Sequence, residues 1–202
     1  MSVTWHHDLY LDGEPYPTRH PLAERFQDGV DMVDILELTE GQLLNAIAAH
    51  ELGHAVLWLA GGLHVSRVSI NLTGQSAGHA QALWTGVDDE ARLRAVGTAG
   101  GERAMDRWLR EAGLWTPDRA AAVELGAHGD RVRLLEGTSP RPVFGTGGGP
   151  DFALLHDMAD EALDRVWGRL MAALPVLVRQ RAMSGGRLAE CTGLPLPVAA
   201  AR

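Results

Sequence analysis

The residues best suited to chemistry are His50-Glu-Leu-Gly-His54. On a helix, positions i and i+4 lie on one face a turn apart, so two imidazoles at this spacing can converge on one metal ion. Glu51 falls beside that face, within reach of a water on the metal. Two neutral nitrogen ligands, an open coordination position and a base at the opening are the parts of a hydrolytic zinc site. Zinc lowers the pKa of its water to about 7, and Glu51 can take the proton as the oxygen attacks a carbonyl carbon. The bland alternative is a buried helix whose two histidines are paired with core polar groups.

A tetrahedral site needs a third protein ligand, and two acids are candidates. Glu102, in Gly101-Glu-Arg-Ala-Met-Asp106, fits a helical pattern in which the Glu binds metal and the Asp orients a histidine. Asp130, in Gly126-Ala-His-Gly-Asp130, sits where a glycine-rich break meets a helix start. Among the other histidines, His79 is placed to donate to a developing oxyanion and His128 to tune the Asp130 segment, against simple surface roles for both. His6 and His7 read as surface residues, and Trp58, Trp108 and Trp167, at helical spacing, as core.

The pair needs a helix, and the flanking residues specify one. Thr39-Glu-Gly-Gln42 has the form of a capping box, an apolar-periodic run from Leu43 to Trp58 follows, and Gly61-Gly62 stops it. Val65 to Ile70 alternates at period two, and Ala80 to Trp84 is expected to pair with it as a small antiparallel sheet. Asp88-Asp-Glu opens a helix to about Glu111, in which Gly97, Gly100 and Gly101 either permit close helix approach or break it. Pro117 starts a short helix, interrupted at Gly126 to Gly129 before another from Asp130 to Leu135. Residues 138–150 read as a flexible loop and not a phosphate loop, because no Gly-Lys-Ser/Thr follows. Asp151 to about Met183 is expected to be helical, kinked or divided at Pro175. Residues 1–38, with Pro15, Pro17 and Pro21, read as an irregular arm packed on a domain over 39–202.

With 46% hydrophobic and 22% charged residues, the 202-residue chain is long enough to bury one core unaided. A net charge of -8 argues against a nucleic-acid partner. The apolar stretch Ala55 to Leu63 is too short to span a bilayer, so no integral membrane segment is expected. The N-terminus lacks the basic start and apolar run of a secretory signal. The lone Cys191, read as part of a Pro-rich C-terminal tail, excludes an internal disulfide and points to the cytoplasm.

Ala49-His-Glu-Leu-Gly-His-Ala-Val56, the Gly100-Gly101 helix and Gly126-Ala-His-Gly-Asp130 together resemble the peptidase domain of FtsH-type ATP-dependent zinc metalloproteases. In that family a third-ligand Asp in a Gly-Ala-x-x-Asp segment follows the histidine motif, so the resemblance implies Asp130 over Glu102. Arg181 to Leu188 also resembles the family's last helices. Members carry a membrane anchor and an ATPase module ahead of this domain. Neither is expected from these 202 residues, so the expected substrates are short, flexible or already unfolded polypeptides, and the family's ring leaves a homo-oligomer open.

The expectation is a mainly helical α+β domain, zincin-like at its metal helix, with a small antiparallel sheet beside the active site. Its expected activity is that of a Zn2+-dependent peptidase, with metal ligands His50, His54 and Asp130 and catalytic Glu51. The rivals are a zinc amidase acting on a small metabolite or biosynthetic peptide, and a non-catalytic metal-stabilised interaction module.

Overall fold

A computed structural model describes residues 4–6, 10–11, 14–21, 32–72, 77–83, 85–137 and 152–200. It has the expected class: mainly helical, with a small three-stranded antiparallel sheet. The elements run β1 (Tyr10–Leu11), β2 (Glu14–Pro15), α1 (Met32–Leu36), α2 (Glu40–Ala60), β3 (His64–Ile70), β4 (Gly78–Leu83), α3 (Glu90–Glu111), α4 (Pro117–Gly126), α5 (His128–Gly137), α6 (Phe152–Gln180), β5 (Ala182–Ser184) and α7 (Gly185–Thr192).

The centre is α2. Its capping box forms: the Gln42 amide donates to the Thr39 hydroxyl, and the Gln42 side chain accepts from the Thr39 amide at 2.9 Å. Gly62, at φ +86°, ends the helix in the left-handed region. Ala46, Ala48, Ala49, Leu52, Ala55, Val56 and Leu59 are buried around its circumference, because α3, α6 and the sheet pack on different sides of it. By length and composition α2 would also suit a bilayer, yet 72% of that apolar window is buried inside the protein.

Helix α3 runs unbroken through its glycines, which resolves the choice between close approach and a break. A Cβ on Gly53 of α2 would lie 2.3 Å from the Gly100 carbonyl oxygen, so the two helices meet backbone to backbone. Residues larger than glycine at both positions would force them apart.

Strand β3 pairs antiparallel with β4 and β5, giving the order β4-β3-β5. The register shifts between Val65 and Arg67, a bulge that lets Val65, Val68 and Ile70 all face the core despite their uneven spacing. Trp84, proposed as the end of the second strand, lies outside the described residues, as do His7 and the 138–150 loop.

The C-terminal part departs from expectation. Helix α6 is not divided at Pro175 and ends at Gln180, so Met183 belongs to the third strand, β5. Pro175 is exposed, while Leu155, Leu163, Leu170 and Leu177 run past it on the buried face. At about 1.5–3 kcal/mol per buried Leu, that stripe outweighs the roughly 3 kcal/mol cost of an interior proline. Arg181, at φ 63°, turns the chain into β5. Cys191 lies on α7, a capped helix between Ser184 and Gly193, and not in an irregular tail. The stretch resembling terminal helices is thus a strand followed by one short helix.

Candidate metal centre

His50 and His54 project from the middle of α2 and Asp130 from the first turn of α5. His50 Nε2 lies 2.9 Å from Asp130 Oδ2, His54 Nε2 lies 3.2 Å from the same oxygen, and the two Nε2 atoms are 3.1 Å apart. Zinc bonds of about 2.0–2.1 Å would put tetrahedral ligand atoms about 3.3–3.4 Å apart. A spread of a few tenths of an ångström therefore converts this triangle into one face of a metal tetrahedron. The three residues form a group that could hold a metal ion, and two imidazoles with one carboxylate are the donor set of an open site.

The histidines are oriented by what surrounds them. His54 Nδ1 donates to the Gly97 carbonyl at 2.9 Å, which leaves Nε2 facing Asp130. Its ring stacks on Trp58 at 5.5 Å between centroids and 18° between planes. On another side it rests against Gly101, where a Cβ would lie 2.3 Å from ring atoms. His50 meets it edge-on at 4.7 Å. Asp130 Oδ1 accepts from Arg133 at 3.2 Å.

Electrostatics bind the group in the absence of a metal. Burial disfavours charge on His54, but the Asp130 carboxylate and its hydrogen bond outweigh that, and its pKa is raised to about 9. Burial pushes Asp130 the other way, and the two histidines overcome it, holding the carboxyl well below the usual carboxylate range. A proton thus satisfies the group when a metal does not.

Glu51 is buried on the same helix, and its carboxylate lies against Gly78 of β4, where a Cβ would come within 2.4 Å of Oε1. Both residues line a cleft of about 460 Å³ that also contains the three candidate ligands. Leu36, Leu43, Ile47, Met105 and Val123 form its apolar part, and exposed His79 and half-buried Ala80 of β4 form another wall.

Glu102 is not part of this group. It is buried and takes two hydrogen bonds of 2.9 Å from Arg131, so the alternative third ligand is an internal ion-pair partner. Among the described residues Asp106 orients no histidine either: it accepts from Arg103, Arg110 and the Trp115 indole. The orienting role falls to the Gly97 carbonyl, a backbone group that residue types do not reveal. His128 packs on the Tyr16 ring at 5.6 Å, and His6 bridges to Thr18. Trp108 and Trp167 are core residues as expected, whereas Trp58 is half-buried and supports a candidate ligand.

Fold and site together define a mainly helical α+β domain with a potential His-His-Asp metal centre opening on a cleft. No known family model matches this chain, and no curated protein is similar to it.

Proposed function

We propose that this protein is a zinc-dependent hydrolase that cleaves peptide bonds in short or unfolded polypeptides. The observation that carries the proposal is the meeting of His50, His54 and Asp130, donor atoms 2.9–3.2 Å apart, in a cleft shared with Glu51. The His50-Glu51-His54 helix and Asp130 are also the residues on which the FtsH-type resemblance rests, so a relation to those peptidases is part of the proposal.

Zinc held by the three residues would supply a water with a pKa near 7 and a Lewis acid for the scissile carbonyl. Glu51 then accepts the proton of the attacking water and passes it to the leaving amine. Its burial against Gly78 fixes the carboxylate, so little ordering is left for the reaction step. Strand β4 is at the sheet edge among the described residues, and its Gly78-His-Ala80 segment borders the cleft. An extended peptide can add there by main-chain hydrogen bonds, with an apolar side chain in the hollow between α1, α2, α3 and α4.

The cleft volume also falls in the range of small-molecule sites, about 300–1,000 Å³, which favours a zinc amidase as the second reading. The deciding experiment assays zinc-loaded protein on unfolded casein, on short peptides and on small acylated amides. Glu51→Gln should keep zinc and lose turnover on whichever class is cleaved. Undiminished turnover in that variant would remove Glu51 from the mechanism, and cleavage of the small amides alone would move the protein to the second reading.

A further inference from the structure

The residue after the third candidate ligand, Arg131, is held by several buried partners. Asp130 faces the histidines, while Arg131 is buried against Glu102 of α3 and Glu124 of α4. Its Nε and Nη2 each donate to Glu102 of α3 at 2.9 Å, and its Nη2 lies 3.5 Å from Glu124 of α4. Its Nη1 donates to the Pro17 carbonyl at 2.5 Å, and the guanidinium carbon sits 4.4 Å over the Tyr16 ring.

The arm has its own hold on the same cluster. The Tyr16 hydroxyl donates to the Glu124 carbonyl, the Arg19 amide donates to Glu124 Oε2 at 2.6 Å, and His20 Nδ1 lies 2.6 Å from Oε1. Arg19 also reaches Asp160 of α6 at 3.0 Å. A water-sized cavity of about 10 Å³ has Asp130 on one wall and Glu102, Arg131 and His156 on the others, so the ion cluster and the candidate metal centre are back to back.

We propose that residues 16–20 act as a strap that positions Asp130 through Arg131, so that metal affinity at the His50-His54-Asp130 group depends on docking of the N-terminal arm. Arg131 and Tyr16 are positioning residues, since neither touches the metal position. The proposal rests on Asp130 being a metal ligand. Coupling of this kind is reciprocal: if the docked arm favours the metal, the metal favours the docked arm. Undocking the arm, by a partner or by cleavage within it, would release the metal without contact at the cleft.

The test uses the full chain and zinc alone. Tyr16→Ala removes both the ring over Arg131 and the bond to Glu124. Zinc affinity, read by competition with a chromophoric chelator, should fall about 10–100-fold, the usual effect of losing a group that orients a ligand. Tyr16→Phe, which keeps the ring, should fall less. In an Asp130→Ala background, Tyr16→Ala should change the residual affinity by less than about twofold, because the route through Asp130 is already gone. In wild-type protein, zinc should slow amide hydrogen exchange at residues 16–20, a readout that needs no variant to fold.

Equal zinc affinity in wild type and Tyr16→Ala, with exchange at 16–20 indifferent to zinc, would overturn the strap. Full additivity with Asp130→Ala would overturn it as well. Wild-type protein that binds zinc tightly yet hydrolyses nothing would sink the hydrolase reading and leave the strap standing on the affinity data. Protein that binds no zinc would sink both.

Discussion

Gly101→Ala should cost the proposed zinc centre its affinity while leaving every candidate ligand in place. Alanine in a helix interior normally stabilises by about 1 kcal/mol over glycine, and nothing in the backbone of α3 forbids it. The added methyl, however, would lie 2.3 Å from His54 Cε1 and Nε2 and 2.9 Å from Nδ1. Restoring ordinary contact requires the ring to move by roughly 1 Å, since carbon contacts are comfortable only near 3.5–4.0 Å. The ring is held on its other sides by the Gly97 carbonyl and by Trp58, so it can leave only by giving up its alignment with His50 and Asp130. Metal sites tolerate about 0.2 Å in ligand distance. Zinc affinity should therefore fall about 100-fold or more, as if a ligand had been deleted. Overpacking of about 1–3 kcal/mol set against the helix gain leaves a net stability loss of roughly 0–2 kcal/mol, so the variant should fold. Gly168→Ala in α6, where a Cβ meets nothing within 4 Å, is the control and should gain stability with zinc binding unchanged. Chelator competition and urea unfolding on both variants give the two numbers. Wild-type zinc affinity in Gly101→Ala would refute the placement of His54 against α3.

Gly78→Ala puts a methyl 2.4 Å from Glu51 Oε1; it should lower kcat by about 10²–10⁴, the range of a general base, with zinc affinity kept within a few-fold. Loss of zinc instead would place Gly78 in support of the ligands. In metal-free protein His54, raised to about 9, is protonated at pH 7, so zinc binding there should release about one proton, visible as buffer-dependent heat in titration calorimetry. The same pair stabilises the metal-free fold in a definite window. The His54 contribution is complete below about pH 6.5 and lost as pH rises through about 9, and the Asp130 contribution is lost as pH falls through the carboxylate range. Urea midpoints of metal-free protein should therefore decline between about pH 6.5 and 9 by more than those of His54→Gln, and parallel profiles would count against the pair.

The parts legible in the sequence were those written in local residue types. Thr39 and Gln42 cap α2, Gly61-Gly62 end it, and the four-residue spacing of His50 and His54 puts them on one face. Asp130 was one of two readable candidates, and geometry separated it from Glu102. Strand β5 was not legible because three residues cannot display a period, and its partner β3 lies over a hundred residues earlier. Of the two outcomes expected at Pro175, a kink or a division, the helix is not divided, because the buried leucine stripe runs past it. The supports of His54 were hidden differently: Gly97 acts through its carbonyl, and Gly101 through the side chain it lacks. The spacing of Gly97, Gly100 and Gly101 did mark one face of α3 for close approach, but nothing local said that an imidazole would fill it.

Among the described residues, the ion cluster around Arg131 and the histidine group answer to different demands. Glu102, Arg131 and Glu124 are buried with side-chain exposures of 4% or less, and removal of one partner from such a set costs about 3–5 kcal/mol. That layer needs nothing but protein to be satisfied. The histidine layer differs: a proton on His54 facing the Asp130 carboxylate satisfies it, and so would a metal ion in the same place. A core built on Leu52, Leu59, Leu109 and the α6 leucines does not require a metal to fold, unlike a small zinc module that is unfolded without one. Metal binding at this centre would exchange one satisfied arrangement for another, with the ligands already within a few tenths of an ångström of their places. Such a centre would be loaded and unloaded without unfolding, and the ion layer behind Asp130 would follow it, docked more tightly with the metal than without.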